Sequence, residues 1–193
     1  MSRLSASLLS LALCGLGSAV SAQSPADNGG RAAHQPAQSP YPPLFAADLA
    51  EAKSFVEEMM RAGVIVPVPK DPGGGYTHEQ HKRNYRALYL AGQLYRLTGD
   101  KKYADYARDV FLAYAKLYPT LGDHPARANQ NTGRLFWQVL NDAVWQVYAI
   151  QGYAAIRDGL SATDRKRIDN DLFRRAATFL SVDSARTFNL IHN

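Results

Sequence analysis

The sequence is almost without cysteine. It holds one, Cys14, inside an N-terminal stretch expected to be removed, so the mature chain is expected to carry no disulfide. Cys14 follows the bulky Leu13, where a lipid-anchored cysteine would follow a small residue, and no lipid anchor is expected. The apolar run in "MSRLSASLLSLALCGLGSAVSA" is too short to span a bilayer as a mature helix. G-x-S-x-G, the phosphate-cradling P-loop and the dinucleotide fingerprint are all missing, which removes the signatures of three large enzyme classes. The zinc signature is incomplete. "HEQH" sets His78 and His81 at i, i+3 instead of the i, i+4 of H-E-x-x-H, with no third ligand at a suitable distance, so neither a metal nor a cofactor is expected.

What is present begins with a leader. Arg3, an apolar run through Leu16 and the small residues Val20, Ser21 and Ala22 read as a secretory signal peptide over residues 1–22, giving a periplasmic or secreted protein. Residues 23–40 are rich in Pro, Gly, Ser and Ala and read as a flexible linker. Residues 41–193 remain for one core. The chain carries 22 Lys and Arg against 17 Asp and Glu, a balance that favours anionic partners in an exported protein. The plainer reading is that the excess charge only aids solubility.

The pattern over 41–193 is helical almost throughout. Asp48 with Glu51 forms a capping box ahead of Ala52, Phe55, Val56 and Met59, and Gly63 ends that run. "VIVPVPKDPGGG" is a loop. A second helix is expected from Thr77, boxed by Gln80, to Leu97. After a turn at Gly99, a third follows to Leu117 with the inward stripe Tyr103, Tyr106, Val110, Phe111 and Tyr114. A fourth, over 133–158, is apolar around nearly its whole circumference and should be buried on most sides. Ser161 and Asp164 cap a fifth. The turns at Gly99 and Gly159 lie 60 residues apart, too far for tetratricopeptide repeats of about 34 residues. The fold class expected is all-α, helical hairpins forming part of an incomplete (α/α) toroid with 77–97 and 133–158 as inner helices.

Alternate helices in such a layout run parallel, so the starts near Thr77, Gly133 and Asn193 should share one rim, where free N–H groups suit an anion. Polar residues at those starts include Tyr76, His78, His81, Lys82, Asn129, Gln130, Arg134 and Gln138. Gln138, Asn141, Asp142 and Gln146 interrupt the fourth helix and are expected to serve packing networks first.

Four segments, "VPVPKDPGGGYTHEQHKRNY", "LTGDKKYADYARDVFLAYAKLYPTLGDHP", "LFWQVLNDAVWQVYAIQGYAAI" and "TFNLIHN", together resemble the alginate lyase and heparinase II/III-like polysaccharide lyases. The similarity is greatest to the oligoalginate lyases of polysaccharide lyase family seventeen. It implies a toroid followed by an antiparallel β domain, and β-elimination on an anionic alginate substrate, with exolytic action, no nucleic acid and no stable membrane association. It places Asn193 on the family's catalytic Asn, which with a following His neutralises the C5 carboxylate of the sugar, and "NQN" with Asn129 and Gln130 on a substrate-touching loop. Tyr76, Lys82 and Gln138 are the further substrate-binding candidates. The family's His and its acid–base tyrosines come after this position, so the chain is expected to be an N-terminal fragment, inactive alone. The competing reading is a helical-repeat module that binds an anionic polysaccharide or a protein.

Overall fold

The computed structural model describes residues 43–127 and 132–184. Among them there are helices and turns and no strand, so this part of the chain is all-α. The helices are α1 (Pro43–Ala62), α2 (Tyr76–Thr98), α3 (Lys101–Leu117), α4 (Val139–Ile156), α5 (Ala162–Arg167) and α6 (Arg174–Thr178). α5 and α6 are joined without a break by a π-helical segment, Ile168–Phe173, and a second one, Phe179–Asp183, follows α6.

The two hairpins form for local reasons. Gly99 closes α2 in the left-handed region at φ 70°, and its N–H reaches the Tyr95 carbonyl at 2.8 Å. Asp100 then caps α3 by accepting from Lys102 N–H. In the second hairpin Ser161 Oγ accepts from Asp164 N–H at 3.0 Å, the cap its sequence promises. Between the hairpins lies an aromatic core. The α3 stripe is buried throughout, with Tyr114 against Trp145 at 5.1 Å and Phe111 against Tyr153 at 5.5 Å.

α2 and α4 run parallel, side by side. His78 faces Phe136 and Asn141, Tyr85 stacks on Tyr148, and Gly92 meets Gly152, so partners ascend together along both helices. The contact is backbone to backbone. A Cβ on Gly92 would lie 2.7 Å from the Gly152 carbonyl, and one on Gly152 would collide with the Leu88 carbonyl. The arrangement is compatible with two consecutive inner helices of an (α/α) toroid.

Several boundaries differ from expectation. α1 starts at Pro43, so Asp48 lies inside it and caps nothing. Gly75, not Thr77, is the N-cap of α2. Thr77 instead ties down the preceding loop: its Oγ1 accepts from Lys70 and Asp71 N–H, while its own N–H donates to Asp71 Oδ2. α4 begins at Val139, six residues later than the apolar pattern proposed. Nor is α4 buried all round. Leu140 and Val147 are 60% and 56% exposed, and Val144 and Ile150 are exposed beside them. Phe136 and Trp145 are buried and Trp137 is half-buried. No helix among the described residues is long and apolar enough to cross a membrane.

Candidate functional site

The end of the molecule where α2 and α4 begin holds most of the buried polar side chains. Its frame is the segment 133–138. The Asp142 carboxylate, from the first turn of α4, reaches back to accept the N–H groups of Arg134 and Leu135, both at 2.9 Å. Gly133 must be glycine here, because a Cβ would occupy the Asp142 oxygen. Burial pushes the Asp142 carboxyl up to about 7 against the pull of these donors. The expected packing role of Asp142 is therefore observed, and its partners are peptide groups of its own connection. The same bonds hold Leu135 and Phe136 in the core as part of an irregular segment, which is why the helix does not start there.

The rim differs from expectation in one respect. At the start of α2 the Thr77 N–H is already taken by Asp71, whose carboxyl is held below its usual range by that bond. The first turn also carries Glu79. The chain's own acids thus answer the positive end of α2. The start of α4 has no side-chain bond at its N-cap either, where the Gln138 carbonyl accepts from Asn141 N–H at 3.1 Å, and its first turn carries Asp142.

Behind the rim lies a polar network linking α2 to α3. Asn84 donates one amide hydrogen to the Ile65 carbonyl at 2.8 Å and the other to Tyr114 Oη at 3.0 Å. With that donation received, the Tyr114 proton is free to go to His81 Nδ1, 2.8 Å away. His81 is then the Nε2–H tautomer. Desolvation lowers its pKa to about 4, so it is neutral across the physiological range. The same burial raises the Tyr114 phenol. His78, 5% exposed, sits edge-on to Phe136 with Nε2 3.5 Å from Asn141 Nδ2, and its Nδ1 has no partner among the described residues. His124 is buried as well, its Nδ1 accepting from Ala126 N–H and its backbone N–H donating to the Gly133 carbonyl. Desolvation depresses both of these imidazoles too. Three neutral imidazoles at one end can give and take hydrogen bonds without bringing charge.

Of the residues proposed from sequence, Tyr76 opens α2 and is 63% exposed, and Gln138 stands half-buried at the start of α4. The connection before α2 brings these two starts together, since a Cβ on Gly73 would lie 3.3 Å from Trp137 Nε1. Lys82 is paired with Glu79 at 3.0 Å and lines a groove that neither Tyr76 nor Gln138 enters. Asn129, Gln130 and Asn193 lie outside the described residues. So does the comparison of Asn193 with Gln130 on one side of the molecule. His81 Nδ1 pairs with Tyr114 Oη, and no group of three or more metal-binding side chains gathers among the described residues. His81 pairs with a tyrosine 33 residues away, which no local pattern announces.

Known proteins share this sequence closely. Over 149 residues the chain is 58% identical to an exo-oligoalginate lyase of Saccharophagus degradans, a match covering 77% of this chain and 20% of that protein. Over 151 residues it is 60% identical to an alginate lyase of Stenotrophomonas maltophilia, covering 78% of this chain and 20% of that protein. The chain belongs to the alginate lyase family. It spans about a fifth of the length of these curated relatives. No protein-family model matches the chain. Within the alginate lyase family, the described residues supply the buried frame of α2, α3 and α4.

Proposed function

We propose that this chain is the opening part of an exported lyase that cleaves the uronic-acid linkages of alginate oligomers by β-elimination. The observation that carries this is the 58–60% identity to relatives that are themselves alginate lyases. The rim supports it. α4 begins without a side-chain cap, and Gln138, Tyr76, His78 and Asn141 lie near that start with donors and acceptors of their own. On this reading Asn129 and Gln130 contact the sugar, and Asn193 with residues that follow it in the family neutralises the C5 carboxylate. Neutralisation acidifies the C5 proton and stabilises the enolate-like intermediate. Acid and base, supplied in the family by tyrosines beyond this stretch, move the proton and release the leaving oxygen.

The test is release of unsaturated uronate, read by its ultraviolet absorbance, from alginate oligomers. A chain extended to the length of its relatives should form product, and Asn193→Ala should abolish it. The 193-residue chain alone should form none. No product from the extended chain on any uronate oligomer sinks the lyase reading, and product from the short chain sinks its dependence on a longer one. Export is checked separately: the mature protein should begin at Gln23 and be recovered outside the cytoplasm.

A further inference from the structure

A second feature begins at the first turn of α2 and runs down the helix. A groove of about 480 Å³ runs along the open side of α2, between α1 and α4. It extends from Glu79 to Leu90, about 16 Å of helix at the standard rise. One wall is aromatic. Tyr85 stacks on Tyr148 with ring centroids 5.2 Å apart and planes 16° from parallel, and Tyr89 meets Tyr148 edge-on at 5.6 Å. Among the described residues the hydroxyls of these tyrosines make no hydrogen bond, and Tyr148 is 40% exposed. The other wall is cationic. Arg86 lies over the Phe55 ring at 4.6 Å, which fixes the guanidinium against α1, and Lys82 stands one turn above it.

We propose that this groove binds an acidic oligosaccharide, with sugar rings against Tyr148 and Tyr89 and carboxylates on Lys82 and Arg86. The physical case is the pairing of two surfaces. Half-exposed tyrosines offer an apolar face with a free polar tip, the mix that a sugar ring requires. The cations are engaged, but weakly. Arg86 pairs with Glu51 at 3.0 Å and Lys82 with Glu79 at 3.0 Å, where Glu51 is 74% exposed and Glu79 44%. Exposed pairs of this kind contribute little, so a ligand carboxylate exchanges for them at small cost. The planar guanidinium, held in place by Phe55, can then take a carboxylate through two parallel hydrogen bonds. The choice of a uronate rests on the lyase reading; the groove itself does not. It would hold a stretch of chain along α2, adding affinity for longer oligomers without touching the bond that breaks.

The experiment titrates the 193-residue chain with a short alginate oligomer, and with a neutral glucose oligomer of equal length, by calorimetry at low and high salt. The alginate oligomer should bind, more weakly at high salt, and the neutral one should bind at least tenfold more weakly. Tyr148→Ala and Arg86→Gln should each reduce affinity roughly tenfold, whereas Lys166→Gln, an exposed cation on α5, should leave it unchanged. Both groove residues are exposed, so the variants should keep the parent helical signal and Tm, which is checked alongside. The groove is overturned if the chain binds no alginate oligomer, if the neutral oligomer binds as well, or if both groove variants bind like the parent. Should an extended chain release unsaturated product while groove variants bind normally, the lyase reading stands and the groove falls. Should groove variants lose binding while no chain releases product, the groove stands without the lyase.

Discussion

α2 and α4 are alike in direction and in the face they turn to each other, yet opposite on the side left open. α2 shows water Lys82, Arg83 and Arg86, three charges bound to the carboxylates of Glu79, Glu58 and Glu51. α4 shows it Leu140, Val144, Val147 and Ile150. Helix propensity does not separate them. What differs is the neighbour each face was selected for. α1 lies against α2 and supplies Glu51, Glu58 and Phe55, so charge there is useful. An uncovered row of aliphatic residues is a surface that usually marks contact with something else.

The largest effect should come from the glycines that let the two helices touch. Gly152→Ala forces a methyl into the Leu88 carbonyl and should cost about 3 kcal/mol in urea unfolding, separating the pair that the comparison depends on. Gly122→Ala, with open space around its Cβ, should stay within about 0.5 kcal/mol of the parent. If both behave alike, the helices are not in backbone contact.

Next in size is the network behind α2. Tyr114→Phe leaves His81 Nδ1 and one Asn84 hydrogen buried without a partner. It should cost about 1–3 kcal/mol, and the His81 tautomer should lose its preference in the nitrogen NMR spectrum.

A subtler difference is in pH response. His81 is depressed to about 4 in the fold, so its contribution is complete above its unfolded pKa near 6.5 and is lost as pH falls toward 4. His78 and His124 are shifted in the same direction. Asp142 is raised to about 7, so its contribution is complete below its unfolded pKa near 4 and is lost as pH rises through 7. α2 therefore weakens in acid while the start of α4 gains. Asp142→Asn should remove that compensation and steepen the loss of Tm from pH 7 to pH 4. An unchanged slope would show that Asp142 is ionised in the fold at low pH.

The smallest thermodynamic effect should come from the open face of α4. Leu140→Lys with Val147→Glu, both at exposed positions, should change stability by less than about 0.5 kcal/mol each. Light scattering should fall as the apolar row is interrupted. A large loss of stability would mean that these side chains are covered.

Much of this frame was written in local signals. The turns at Gly99 and Gly159, the Ser161 cap and the α3 stripe follow from short patterns, and their spacing led to the expectation that α2 and α4 run parallel. What was misread turned on side-chain bonds and burial that no periodic pattern carries. Leu135, Phe136 and Trp137 continue the apolar period of α4, so nothing nearby shows that Asp142 has drawn the preceding N–H groups out of helical geometry. The aliphatic row on α4 looked like core because hydropathy records an appetite for burial and not its satisfaction. At the rim, "KDPGGGYT" discloses an N-terminus but not that Asp71 returns to fill it. Tyr114 read as core and is buried, yet its hydroxyl is also the hub of a network whose members are spread along the chain.

The Asp142 clasp also has a place in time. Its donors sit only seven and eight positions up the chain, so the entropy lost in closing it is small and nothing distant has to arrive first. The contact between Gly92 and Gly152 joins segments much farther apart and must wait on diffusion of whole helices. The connection into α4 should thus be shaped before α4 docks, presenting a finished corner to α2. Substitutions at Asp142 would then slow folding, while those at Gly152 would chiefly hasten unfolding.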